Sequence, residues 1–107
     1  MQPNAFILRH DRGGSLQIEV WASHTQALAR ACQRIWAIIH ASSSPSEHNL
    51  SVLRLIQAGR FGDALALFSE DSGHHQINVD SIVINQNPFV AGEASRDAAE
   101  LLAKLGG

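Results

Sequence analysis

Residues 23–40, SHTQALARACQRIWAIIH, decide the fold. Ser23 is a good helix N-cap, and Gln26 three residues on completes a capping box. At about 100° per residue, Ala27, Leu28, Ala31, Cys32, Ile35, Ile38 and Ile39 fall on one side. Gln26, Arg30, Gln33, Arg34 and Ala37 fall on the other, with Ala29 and Trp36 on one flank. The apolar arc spans roughly 200°, wider than the stripe of roughly 100° that buries a single face. Such a helix is expected to pack against more than one element and to act as the spine of a small core.

Upstream, residues 5–10 (AFILRH) and 15–21 (SLQIEVW) read as two strands around the turn DRGG. The second alternates, with Leu16, Ile18 and Val20 against Gln17, Glu19 and Trp21. A loop of even length would put Phe6 and Leu8 on the face of Gln17 and Glu19. A three-residue loop, Arg12-Gly13-Gly14, would set Phe6, Leu8 and His10 beside Val20, Ile18 and Leu16. Because apolar pattern sets register, the odd loop is expected, with a glycine at positive φ closing a bulge. The outer face would then carry Ala5, Ile7, Arg9, Gln17, Glu19 and Trp21, with Arg9 and Glu19 as diagonal neighbours of opposite charge.

Downstream, Ser44 as N-cap, Pro45 at the first helical position and Glu47 open a helix over about 45–58. It is expected to bury Leu50, Leu53, Ile56 and Val52 and to stop at Gly59. Residues 61–70 form a third helix, with Phe61, Ala64, Leu65 and Phe68 at i, i+3, i+4 and i+7. The stretch LIQAGRFGDALALF (55–68) resembles the helix-turn-helix of tetratricopeptide-type repeats. It occurs once, whereas such arrays need about three copies to bury a continuous core. The resemblance implies a helical hairpin and carries no function. QINVDSIVINQ (76–86) is a third strand whose alternation slips at Ile82-Val83-Ile84, which calls for a bulge near Asp80-Ser81 or burial on both faces. Asn87-Pro88 ends it. A last helix over about 93–105 packs Ala94, Ala98, Leu101, Leu102 and Leu105.

The expectation is one α+β domain over residues 1–107, of order ββαααβα. A small, largely antiparallel three-stranded sheet, the N-terminal hairpin plus one later strand, carries helices on one face, the first and last lying on it.

Composition narrows the function classes. The 107 residues are 45% apolar and 17% charged, as in a globular chain. The single cysteine, Cys32, excludes an internal disulfide and a cysteine-cluster metal site. Neither a secretory signal nor a membrane span is visible, so a soluble cytoplasmic protein is expected. Net charge is −2, unevenly spread: residues 1–62 carry six arginines against three acids, and residues 63–107 carry Arg96 and Lys104 against seven acids.

Candidate chemistry is thin. None of the six histidines pair at i, i+4 around a carboxylate, as a zinc-binding helix requires. His74-His75 falls in a polar loop. Cys32 lies in the apolar arc, where a thiol packs rather than reacts. Gly13-Gly14 lies between two strands and cannot make the strand-to-helix cradle of a phosphate loop. No catalytic residue, metal ligand or cofactor is assigned.

What remains is apolar and arginine-rich surface. Trp21 and Ile7 are expected on the outer face of the hairpin, with Arg9. Arg30 and Arg34 are expected on the exposed face of the central helix, and Trp36 at the edge of its over-wide apolar stripe. Tryptophan and arginine are enriched at interface hot spots. The leading expectation is a small non-enzymatic protein-binding module of regulator or inhibitor type, such as the inhibitors carried by mobile elements. Its partner is another protein or a second copy of the chain, held by Trp21, Trp36, Arg30, Arg34, Arg9 and Ile7. One alternative is a nucleic-acid-binding module using the arginine face, against which stand a single lysine and a pI of about 6.3. Another is a small-ligand protein or enzyme with a site near His10.

Overall fold

A computed structural model describes residues 2–84 and 91–106. The order is β1 (Ala5–Arg12), β2 (Ser15–Trp21), α1 (His24–His40), α2 (Glu47–Gln57), α3 (Phe61–Ser69), β3 (His75–Ile82) and α4 (Ala91–Gly106). Three antiparallel strands form one open sheet of order β2-β1-β3, so β1 is central. The fold is α+β, as the alternation and helical periods imply.

The central helix is the spine its pattern predicts. The Ser23 side chain accepts from the Gln26 backbone N–H at 3.3 Å. Ala27, Ala31, Cys32, Ile35 and Ile39 are buried. The wide apolar arc has two partners: α1 lies across the inner face of the sheet and also packs against α2 and α3. Leu8 and Ile77 from the sheet, Val52 from α2 and Ala64 and Phe68 from α3 meet it in one core. The single resemblance-derived expectation, a helical hairpin at α2–α3, is present, with Gly59 at φ +77° in the turn.

The hairpin register differs from the expectation. Phe6 pairs with Trp21, Leu8 with Glu19, His10 with Gln17 and Arg12 with Ser15. The loop is therefore the two residues Gly13-Gly14. Both have positive φ (+57° and +100°), the backbone that matches a tight two-residue turn to strand twist and that glycine adopts freely. Asp11 Oδ1 accepts the Gly14 N–H at 3.0 Å, and the Gly13 N–H donates to the His74 carbonyl at 3.2 Å. Turn chemistry outweighs apolar matching. Trp21, Glu19 and Gln17 consequently face α1, whereas Leu16, Ile18 and Val20 face outward with Ile7 and Arg9. Arg9 is not a neighbour of Glu19; it pairs with Asp80 at 3.3 Å.

Three further expectations are corrected. The α2 N-cap is Ser46, whose Oγ accepts from the Asn49 N–H at 3.1 Å, rather than Ser44. β3 pairs regularly with β1 to Ile82 with no bulge at Asp80-Ser81. Beyond it the Asn4 side-chain amide holds the Ile84 backbone, donating to its carbonyl at 3.0 Å and accepting its N–H at 2.6 Å. The alternation slips at Ile82-Val83-Ile84 because the ladder has ended there; residues 85–90, with Asn87-Pro88, lie outside the described residues. Finally, α4 does not lie on the sheet. Among the described residues it packs against no other element, and Leu101, Leu102 and Leu105 are 59%, 69% and 76% exposed.

Candidate functional site

The two faces of the sheet offer different chemistry. On the outer face Leu16, Ile18 and Val20 are 56%, 55% and 57% exposed. Register places Ile7 between Val20 and Asp80, and Arg9 between Ile18 and Asn78. The half-buried Ile7 and Ile82 extend this apolar strip to all three strands. Scattered exposed apolar residues are ordinary, but three consecutive outward positions of one edge strand beside two isoleucines form a contiguous patch.

On the inner face a polar lattice joins β2 to α1. Glu19 accepts from Arg30 Nε at 3.1 Å and from the Trp21 indole N–H at 3.1 Å, and it also binds Arg34. Arg30's hydrogen bonds, with those of Arg34 and Trp21, hold the Glu19 carboxyl down to about 2, against the opposing effect of burial. Arg34 also donates to Gln17 Oε1, and its Nη1 lies 3.2 Å from His10 Nδ1. His10 Nε2 is in turn 3.0 Å from His75 Nδ1. Burial first, then the Arg34 charge, lowers the His10 pKa; burial first, then Arg12, lowers that of His75.

Trp36 lies on a third surface. It is 53% exposed, lies against His40 with ring centroids 4.7 Å apart and the planes tilted by 45°, and borders an apolar groove with Cys32, Ile56 and Phe61. Cys32 forms the floor. Its thiol donates to the Phe61 carbonyl at 3.5 Å, and burial pushes its pKa to about 11.

The residues expected to act together are thus separated. Ile7 and Arg9 lie on the outer face of the sheet. Trp21, Arg30 and Arg34 lie on the inner side, Trp21 half-buried against the core and both arginines bound to Glu19. Trp36 is on the far side of α1. Sequence reasoning missed Leu16, Ile18 and Val20 as surface residues, although the Gly-Gly pair is the signal that fixes their direction. It also missed His75, which is the first residue of β3 and not a loop residue. Among the described residues no group of three or more histidine, cysteine, aspartate or glutamate side chains is placed to hold a metal ion. No helix among them is long and apolar enough to cross a membrane.

Comparison with protein-family models, with curated proteins and with solved structures finds no match to this chain.

Proposed function

We propose that this chain is a small non-enzymatic protein-binding module of regulator or inhibitor type, docking through the outer face of its sheet. The observation that carries the reading is the strip of Leu16, Ile18 and Val20, each more than half exposed beside Ile7 on a sheet face that no helix covers among the described residues. A sheet face of this kind gains about 25 cal/mol for each Å² of apolar surface removed from water. A helix or a second sheet laid on it is the usual cover. Helix α4 supplies a stripe of the matching kind, Ala94, Ala98, Leu101, Leu102 and Leu105, so a second copy of the chain is one partner that fits. Arg9 and Asp80, both half exposed in their ion pair, set the polar rim.

The expected contribution of Trp21, Arg30 and Arg34 is different from direct contact. They brace β2 on α1 and so hold the outer face in shape. Their engagement with Glu19, and that of Arg9 with Asp80, also weighs against a nucleic-acid partner, which needs free cations along a phosphate backbone.

The test is a tagged pull-down with and without nuclease, with light scattering on the pure protein, for the wild type and Ile18→Lys. The expected result is a dimer or a discrete protein partner that survives nuclease and is lost in Ile18→Lys, the variant keeping its circular dichroism spectrum and a cooperative unfolding transition. A monomer with no partner, or a partner retained by the variant, would refute docking through this face. Material released by nuclease would establish the nucleic-acid alternative instead.

A further inference from the structure

The inner face of the sheet ends, near the hairpin loop, in a cavity of about 290 Å³. Its polar lining is His10, Arg12, Arg34 and His75; Ala37 and Ile38 of α1 form an apolar wall. The volume lies at the lower end of the range for small-molecule pockets, about 300–1,000 Å³.

Hydrogen-bond direction fixes what this lining presents. A guanidinium has donors and no acceptor, so Arg34 Nη1 donates to His10 Nδ1. His10 must then carry its proton on Nε2 and donate to His75 Nδ1. The reverse direction would require both His10 nitrogens to accept, which a neutral imidazole cannot do. His75 therefore carries its own proton on Nε2, an N–H with no partner among the described residues. The chain Arg34→His10→His75 runs one way and ends in a donor.

Charge points the same way. Arg30 and Arg34 share the one carboxylate of Glu19, and Arg12 makes no ion pair among the described residues. Three guanidinium groups thus stand against one carboxylate. The other acid nearby, Asp11, is on the opposite face, where it holds the hairpin loop. Arg34 Nε is buried with no hydrogen-bond partner among the described residues, so even the most engaged guanidinium has a spare donor. Two arginines exclude a metal cation from the same space.

We infer that this cavity binds a small organic phosphate, its phosphate group between Arg12 and the His75 Nε2–H and its apolar body against Ala37 and Ile38. The site is on the opposite face of the sheet from the proposed docking strip and does not depend on it. No covalent step is involved. Bound phosphate reverses part of the electrostatic environment of the two histidines. The groups facing them are Arg12 on β1, Arg34 on α1, Gln17 on β2 and His74 beside β3, none of them an acid; Asp11, on the opposite face of β1, acts on His10 only through space.

The experiment is an NMR titration of the histidine ring nitrogens in the full chain. Before any ligand is added, His10 is expected to show a protonated Nε2 and a bare Nδ1, and His75 the same. Phenyl phosphate should shift both rings saturably and raise their titration midpoints, inorganic phosphate should do so more weakly, and benzoate should do neither. Arg12 is exposed, so Arg12→Ala leaves the fold intact; it should weaken phenyl phosphate binding roughly tenfold or more, as loss of a hydrogen bond to a charged group implies. Arg60→Ala, remote and paired with Asp63, should leave it unchanged. Non-saturable shifts, equal binding in Arg12→Ala, or benzoate binding as tightly as phenyl phosphate would each overturn the assignment.

Discussion

The two faces of one three-stranded sheet differ as sharply as a core and a surface, yet they alternate residue by residue along the same strands. Inward, Leu8 and Ile77 are buried and Glu19 is locked between Arg30 and Arg34. Outward, the more apolar half of β2 faces water. Hydrophobic pattern says which residues of a strand share a face. It does not say which face is covered, because the loop and the neighbouring strands decide that.

The largest expected effect tests the covered side. Ile35→Asp puts an unpaired charge behind the inner face, at a fully buried position, and should leave no cooperative unfolding transition by circular dichroism. Leu8→Ala should cost about 3 kcal/mol in urea melts, the range for a large-to-small core change, against less than about 0.5 kcal/mol for Ile18→Ala in the monomer. Equal costs at the two positions would mean that the faces are not different after all. Glu19→Gln should cost about 2 kcal/mol, because it leaves Arg34, only 14% exposed, without its carboxylate.

The inner face also has a pH signature. Glu19 has a lowered folded-state pKa of about 2, so its stabilisation is complete above about 4.5 and fades as pH falls toward 2. His10 and His75 also have lowered pKa values, which for a base means that the unfolded chain binds more protons. Their neutral forms favour the fold above about 6.5, and stability falls as pH drops through that value. Urea midpoints across pH should show both limbs in the wild type. Only the limb near 6.5 should persist in Glu19→Gln. The smallest effect is kinetic: Cys32, buried with its pKa near 11, should react with a thiol reagent only as fast as the protein opens, whereas Ile18→Cys should react at once.

Much of this architecture is written locally. Ser23, the 3.6-residue period of α1, and Gly59 each specify their element without help from distant residues, and all three are where they are expected. The hairpin register is less legible because two local signals conflict. The alternation of Leu16, Ile18 and Val20 asks for an odd loop, and Gly13-Gly14 asks for an even one. The inner face can accept Trp21, Glu19 and Gln17 because Arg30 and Arg34 meet them from a helix several residues away, and no single strand carries that information. The pocket was illegible for the same reason: His10 and His75 are 65 positions apart, and only the β1–β3 pairing brings them together. For α4, amphipathic spacing identified a helix but not a partner for it.

The Gly13-Gly14 turn has a consequence beyond joining two strands. The parity of its length stores which surface the protein shows. One residue inserted there would rotate β2 by half a turn relative to β1, sinking Leu16, Ile18 and Val20 against α1 and turning Glu19 and Trp21 out to water. A single codon thus separates two molecules with nearly the same composition, one with an apolar outer sheet face and one with a charged outer sheet face, and the hairpin loop is the place where that choice is made in one step.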